Sequence, residues 1–352
     1  MGFHGAGDSR RKPSYQAGRS PPTSLSMSQG ATALIFNAEE FIEESVEEAR
    51  RRMPAPGHAI IACSGGVDST VAAAIVNKAV GTRLTAVYVD TGYMRKGESA
   101  EVRAMYESIG LNLRFVDAGP EFYAALKGVT DPEKKRKIIG EKFIRIFERV
   151  ALEANAKYLV QGTIAPDWIE SGGGVRDVIK SHHNVGGLPK DMKLEVVEPL
   201  RDLYKDEVRK VARALKLPIA ERQPFPGPGL AVRVLGEASP ERTAIVREAC
   251  AIVEEELERA VEKGMMDALP WQYFAALLPV RSVGVQGDLR AYGETIVVRA
   301  VDSTDAMTAT HKRIPYEVLE RISRRITNSM KDQVNRVVYD VTDKPPGSIE
   351  WE

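Results

Sequence analysis

A five-residue apolar run, Ala59-Ile-Ile-Ala-Cys63, leads directly into Ser64-Gly65-Gly66-Val67-Asp68-Ser69-Thr70 and then into a stretch with helical periodicity through Lys78. This succession of strand, glycine turn and helix constrains the fold more than any other feature. A short apolar run without polar alternation suits a strand buried on both faces, hence a parallel sheet covered by helices. The same unit recurs: Leu84 to Val89 reads as a strand, Glu98 to Ile109 as a helix with Val102, Met105, Tyr106 and Ile109 on one face, and Leu111 to Val116 as a strand. A helix from Pro132 to about Glu153, a strand at Tyr158-Leu-Val-Gln161 and a helix capped by Asp202, with Val208, Val211, Ala212 and Leu215 aligned, continue it. Strands alternating with helices predict an α/β fold with a doubly wound parallel sheet.

The turn itself carries chemistry. Two adjacent glycines let the backbone bend tightly and aim amide protons at an anion, and the first turn of the following helix adds unsatisfied N–H groups and its positive dipole end. Ser64, Ser69 and Thr70 add hydroxyl donors. A carboxylate beside phosphates is repulsive unless a cation lies between them, so Asp68 is assigned to magnesium. A plain strand-to-helix turn is the competing reading, but Gly-Gly followed by a helix-opening Asp-Ser suits a phosphate cradle better. The Walker pattern requires Gly-Lys-Ser or Gly-Lys-Thr, which is absent at this turn.

Beyond Pro218 the rhythm changes. Gln223-Pro-Phe-Pro-Gly-Pro-Gly229 is too rich in proline and glycine for helix or strand and marks a boundary. After it come a charged helix from Ser239 to Glu262, strands near Trp271 to Pro279 and Thr295 to Val301, a helix from Tyr316 to Asn328 and a strand at Asn335 to Val341. That order predicts a smaller α+β domain with an antiparallel sheet. Residues 1–30, rich in Gly, Pro and Ser without an apolar period, are expected to be a disordered tail, with Met27 a plausible start. Asn37 and Glu40 open a helix reaching about Arg52. The expected organisation is therefore a tail over 1–30, a nucleotide domain over 31–225 and a second domain over 226–352.

Lys plus Arg equals Asp plus Glu at 49 each, so no net field draws the chain toward nucleic acid or an anionic membrane. No apolar run is long enough to cross a bilayer. Two cysteines, Cys63 and Cys250, cannot build a disulfide framework, and no signal peptide opens the chain, so a cytoplasmic location is expected.

The glycine turn resembles the pyrophosphate loop of the ATP pyrophosphatases, which split ATP between its α and β phosphates. Within that group the chain resembles the GMP synthases from about residue 36 to its end. The resemblance rests on Tyr88-Val-Asp-Thr-Gly-Tyr93, Asp131-Pro-Glu-Lys-Lys-Arg-Lys-Ile-Ile-Gly140, Gln161-Gly-Thr-Ile-Ala-Pro-Asp167, Ile169-Glu-Ser171 and Ile179-Lys-Ser-His-His-Asn-Val-Gly-Gly-Leu-Pro189. It rests also on Pro224-Phe-Pro-Gly-Pro-Gly-Leu230, Arg281-Ser-Val-Gly-Val-Gln-Gly-Asp288 and Lys344-Pro-Pro-Gly-Ser-Ile-Glu-Trp-Glu352.

The resemblance implies an adenine nucleotide alpha hydrolase-like first domain, a second domain for dimerisation, and synthesis of GMP from xanthosine 5′-phosphate (XMP), ATP and ammonia through an adenylyl intermediate. It implies that Ser64, Gly65, Gly66, Val67, Asp68, Ser69 and Thr70 hold ATP, with the backbone of Val89 at adenine. Lys180, in a glycine-bounded segment after Ser171-Gly-Gly-Gly174, resembles part of a lid over the phosphates, and with Asp68 it forms the catalytic pair. Arg136, Gln286, Lys344, Ile349 and Glu350 resemble the family's XMP pocket. Each has a plain alternative: core packing for Val89, a hydrated surface for Lys180, and for Arg136 the wet face of Glu133-Lys-Lys-Arg-Lys137. For Asp167 and Glu170 two roles stay open, ordering the lid or deprotonating ammonium. His182 and His183 are adjacent in an extended segment, so their side chains point apart and do not suit one zinc.

Many GMP synthases carry a glutaminase domain with a Gly-x-Cys-x-Gly nucleophile elbow. Neither Cys63 nor Cys250 has that setting, so the chain resembles the stand-alone synthetase subunit, which takes ammonia from a separate glutaminase polypeptide and pairs as a homodimer. The rival readings are a tRNA thiolase of the same loop family, which needs catalytic cysteines and an RNA-binding module, and a nucleotide-binding regulator without turnover.

Overall fold

The computed structural model describes residues 36–166, 194–218, 223–286, 289–304 and 306–352. The chain divides at Phe36 into two units, and every element below belongs to Asn37–Glu352. Expectations for the tail over 1–30, for Asp167 and Glu170, for Lys180 and for His182 and His183 fall outside the described residues.

Helix α1 (Ala38–Arg52) starts where Asn37 Oδ1 accepts from the amides of Glu39 and Glu40, and its last turn carries Arg50, Arg51 and Arg52, in keeping with the helix dipole. Strand β1 (His58–Ala62), α2 (Val67–Val80), β2 (Leu84–Asp90), α3 (Glu98–Ser108), β3 (Leu113–Asp117), α4 (Gly119–Ala125), α5 (Pro132–Glu153), β4 (Ala156–Val160), β5 (Glu195–Val197) and α6 (Lys205–Ala214) complete the first layer system. All five strands are parallel in the order β3-β2-β1-β4-β5. Helices α1, α2 and α6 pack together on the sheet, and α5 packs on β2 and β4. Strand β2 is buried over six of its seven residues, as a strand covered on both faces must be. The doubly wound sheet expected from the sequence is therefore present. Its helix α6 starts at Lys205 with Tyr204 as N-cap rather than at Asp202, because Glu207 Oε2 accepts from the Tyr204 amide 2.9 Å away and closes the turn there.

The second sheet consists of β6 (Gln272–Gln286), β7 (Leu289–Asp302), β8 (Thr310–His311) and β9 (Val334–Tyr339), with helices α7 (Pro240–Glu262) and α8 (Tyr316–Ser329). Strands β6, β7 and β8 pair antiparallel as expected, whereas β9 joins β7 in parallel. A parallel partner needs a crossover, and α8 supplies it. One apolar core joins the two sheets: Ile60, Val87, Phe122 and Phe147 from the first belong to the same buried cluster as Leu230, Phe274, Ile296 and Ile322. The proline-rich stretch is irregular, as expected, and it is tied down: Arg95 Nη2 donates to Gln223 O at 3.1 Å, and the guanidinium lies 4.4 Å over the Phe225 ring. Among the described residues no helix is long and apolar enough to cross a membrane.

Candidate functional site

In an open parallel sheet, ligands dock beyond the carboxyl ends of the strands, where the strand order reverses. Here the order reverses at β1, and Ser64–Thr70 follows it. Gly65 has φ +80, and a Cβ there would stand 2.7 Å from Val102 Cγ2, so both backbone and space require glycine. Gly66 is the N-cap of α2 and gives no side-chain cap, which leaves the first-turn amides of that helix to an outside acceptor.

The loop is braced from below. Gly65 N donates to Tyr106 OH at 3.1 Å, and Thr70 Oγ1 lies 3.1 Å from the same phenol while donating to Gly66 O at 2.8 Å. Tyr106 is fully buried, and burial raises its phenol above the ordinary tyrosine range, so it stays a neutral hydrogen-bonding post. Ser64 Oγ accepts from Gly66 N and faces Ser69 Oγ at 3.4 Å. The carboxyl end of β4 forms the opposite wall: a Cβ on Gly162 would stand 3.0 Å from both the Asp68 carbonyl carbon and Ser69 N. Only glycine allows that approach without moving the cradle.

Asp68 is the electrostatic centre. Its Oδ2 lies 2.5 Å from Lys205 Nζ, while its Oδ1 is buried and has no hydrogen-bond partner among the described residues. A magnesium ion is commonly held by one or two carboxylates together with substrate phosphates, so a single carboxylate with an open oxygen beside a helix N-terminus fits such an ion. Cys63, next to the loop, is buried, and burial pushes its thiol up to about 12. Cys250 is buried and raised for the same reason. Two neutral, enclosed thiols do not suit the sulfur chemistry of a thiolase.

The sequence-nominated residues fall into two groups. Ser64 to Thr70 form the loop, with Val89 buried in β2 opposite Val116. The second group gathers at the terminal segment. Arg136 donates to the backbone oxygen of Glu352 and pairs with Glu133. Lys344 Nζ donates to Ala306 O at 2.7 Å, and the backbone of Lys344 pairs with Ala309. Ile349 is buried against Val301 and Ala309. Glu350 accepts from buried Arg233, Nη2 to Oε1 at 2.8 Å and Nε to Oε2 at 3.1 Å, and from Gln272 Nε2 at 2.8 Å. Gln286 ends β6, with its backbone paired to Leu289. A cavity of about 400 Å³ at the carboxyl ends of β2 and β3, lined by Asp90, Arg95, Asp117, Tyr123 and Arg247 among others, includes no residue of Ser64–Thr70.

Sequence reasoning missed Lys205, the bracing role of Tyr106, the close approach at Gly162, and the buried cations Lys135 and Arg233. For Lys205 a signal existed, because a cation in the first turn of a helix opposes the dipole. The others depend on tertiary contacts.

Residues 258–351 match the family model described as GMP synthase C terminal domain, and residues 34–165 match the one described as NAD synthase. One subunit of the glutamine-hydrolyzing GMP synthase of Methanopyrus kandleri is 60% identical over 321 residues, covering 90% of this chain and 100% of that protein. The protein of the same description from Thermococcus kodakarensis is 60% identical over 317 residues, covering 89% of this chain and 99% of its own length. Among solved structures, NMN synthetase from Francisella tularensis is similar at 19% identity and a TM-score of 0.43, over 55% of this chain and 78% of that one.

Proposed function

The chain belongs to the family of these GMP synthase subunits and is a ligase, and from that premise we propose that it makes GMP from XMP, ATP and ammonia. The purine 2-oxygen of XMP attacks the α-phosphorus of ATP; the new O–P bond forms as the bond to the β-phosphate oxygen breaks, and pyrophosphate leaves. Ammonia then adds at purine carbon 2, loses a proton, and AMP departs with the oxygen. Adenylylation is needed because an oxo group is a poor leaving group and a phosphoryl ester is a good one.

The observation that carries this reading is the glycine cradle without a side-chain cap, with one buried carboxylate oxygen beside it that has no partner among the described residues. First-turn amides of α2 and the Ser64 hydroxyl grip the β and γ phosphoryl oxygens, so cleavage falls at the α-phosphorus. Asp68 would hold magnesium, which would supply neutralisation of the charge that builds on the departing pyrophosphate. Lys180 adds a second positive charge over the phosphates, and the Val89 backbone meets adenine. Arg136, Gln286, Lys344, Ile349 and Glu350 contact the XMP nucleotide from the terminal segment.

The relatives are named as one subunit of a glutamine-hydrolyzing synthase, which supports a separate glutaminase polypeptide as the ammonia source. The test is to supply pure chain with ATP, magnesium, XMP and ammonium, and to follow GMP, AMP and pyrophosphate. GMP is expected to form with ammonium and not with glutamine. ADP and orthophosphate as products would overturn the cradle reading, and GMP from glutamine would overturn the separate ammonia source.

The second domain, 226–352, is proposed to pair two copies of the chain. Its β6–β7 hairpin exposes Val283, Val285 and Tyr292 on one face, with Val283 directly opposite Tyr292, an apolar surface of the kind that pairing covers. A dimer is expected in sedimentation at micromolar concentration. Only monomer there would contradict the pairing.

A further inference from the structure

We propose that Lys205 is a positioning residue for this reaction: by holding Asp68 through Oδ2, it leaves the Oδ1 of that carboxylate to the divalent cation that accompanies ATP, and so favours magnesium over larger ions. The inference rests on the reading of Ser64–Thr70 as a metal–ATP cradle.

Four observations carry it. Lys205 Nζ stands 2.5 Å from Asp68 Oδ2, joining the N-termini of α6 and α2 across 137 residues of chain. The other oxygen, Oδ1, is buried and unpartnered among the described residues, so the two oxygens of one carboxylate have different roles. Lys205 also breaks a local rule. A cation in a helix's first turn opposes the dipole, while Asp206 and Glu207 in the same turn obey it. A residue that violates local preference marks a constraint from elsewhere in the fold. Finally, the pair does little for folding: the Lys205 side chain is 44% exposed, and hydrated pairs of that kind contribute little to stability. A structural role accounts poorly for it.

The chemistry of the two common hard cations gives the consequence. Magnesium requires near-octahedral geometry and takes one oxygen from a carboxylate, whereas calcium accepts more ligands and readily takes both oxygens. A carboxylate whose second oxygen is occupied by an ammonium cannot chelate through both. Packing of α2 against α6 fixes the backbones from which the two side chains extend, so the division of labour is set before nucleotide arrives.

Calorimetric titration of the full chain with non-hydrolysable α,β-methylene ATP, in magnesium or in calcium, tests this without turnover. Wild type is expected to bind at least about tenfold more tightly with magnesium than with calcium. In Lys205→Met both affinities fall, because a positive charge near the phosphates is lost, but the magnesium-to-calcium ratio collapses to within about threefold. Lys205→Arg, which keeps a donor to Oδ2, is expected to restore most of the ratio. The nucleotide-free Lys205→Met protein should melt within about 2 °C of wild type, as loss of an exposed pair implies. A wild-type ratio in Lys205→Met overturns the role of Lys205 and leaves the cradle reading standing. Failure of Lys205→Met to fold also overturns it, since the residue would then be a scaffold element. Absence of metal-dependent binding by wild type overturns the cradle reading and this inference together.

Discussion

Asp68→Asn is expected to lower XMP-dependent pyrophosphate release at least about a thousandfold, roughly 4 kcal/mol of transition-state stabilisation. The substitution keeps side-chain volume and one carbonyl acceptor but removes the charge proposed to hold a cation at the phosphates. Its cost to folding is small by comparison. An acidic residue in a helix's first turn contributes about 0.3–1 kcal/mol through the dipole, and the ion pair to half-exposed Lys205 contributes about 0–1 kcal/mol. The two consequences therefore separate: thermal unfolding shifts by a few degrees while the rate collapses. Single-turnover release of pyrophosphate, measured beside a melting curve, distinguishes them. A rate within tenfold of wild type would show that Asp68 does not carry the cation.

What the sequence revealed and what it hid follow one division. Local patterns were legible: helix α5 runs Pro132–Glu153 as expected, with Asp131 Oδ1 capping the Lys134 amide, because proline, cap and apolar face all lie within the segment. The glycine cradle was legible for the same reason. Elements too short to show a period were not. Strand β5 has three residues and β8 two, and each exists because a longer neighbour, β4 or β7, offers it a ladder. Strands β6 and β7 extend well past the apolar runs that announced them, since backbone pairing from Arg281–Glu294 to Gln286–Leu289 tolerates polar and glycine residues on an open hairpin. Long-range pairs were hidden altogether. Lys135 lies in a run of charges that reads as a wet helix face, yet it is fully buried. Its ammonium donates to Ala231 O, to Val234 O at 2.7 Å and to the Glu352 carboxylate. No periodicity in α5 could announce partners 96 to 217 residues away.

Those buried cations explain why the last residues of the chain are docked rather than frayed. Glu352 bridges Lys135 and the Gly236 amide, while its backbone oxygen accepts from Arg136. Arg299, fully buried, donates to the carbonyls of Thr342 and Ser348 and pairs with Asp340. Burial pulls the Lys135 ammonium below its ordinary range, against the raising effect of Glu352, so its desolvation is only partly offset. The segment that carries the XMP-contact candidates is thus held by charges from α5 and β7, which makes substrate binding and stability difficult to separate by mutation unless both are measured.

Glu350 is where that separation is clearest. Arg233 has no exposed side-chain surface, and its guanidinium lies 4.1 Å from the centre of the Phe274 ring and 5.1 Å from that of Phe225, with Glu350 as its carboxylate partner. Burial opposes the charge, and the Glu350 carboxylate overrides it, so the guanidinium is held above its ordinary value. Removing one member of a buried pair typically costs about 3–5 kcal/mol, because the other charge is left without compensation. Glu350→Ala is therefore expected to lower the melting temperature by roughly 5–15 °C. In Arg233→Met/Glu350→Ala, which leaves no orphaned charge, about half or more of that loss should return. KM for XMP, measured well below either transition, isolates the second role. If Glu350 contacts the nucleotide, KM rises in Glu350→Ala and stays raised in the double variant, although its stability has recovered. A melting temperature within about 1 °C of wild type in Glu350→Ala would show that the pair to Arg233 contributes nothing to the fold. A raised KM that recovered together with stability would show that Glu350 acts only by holding the terminal segment in place.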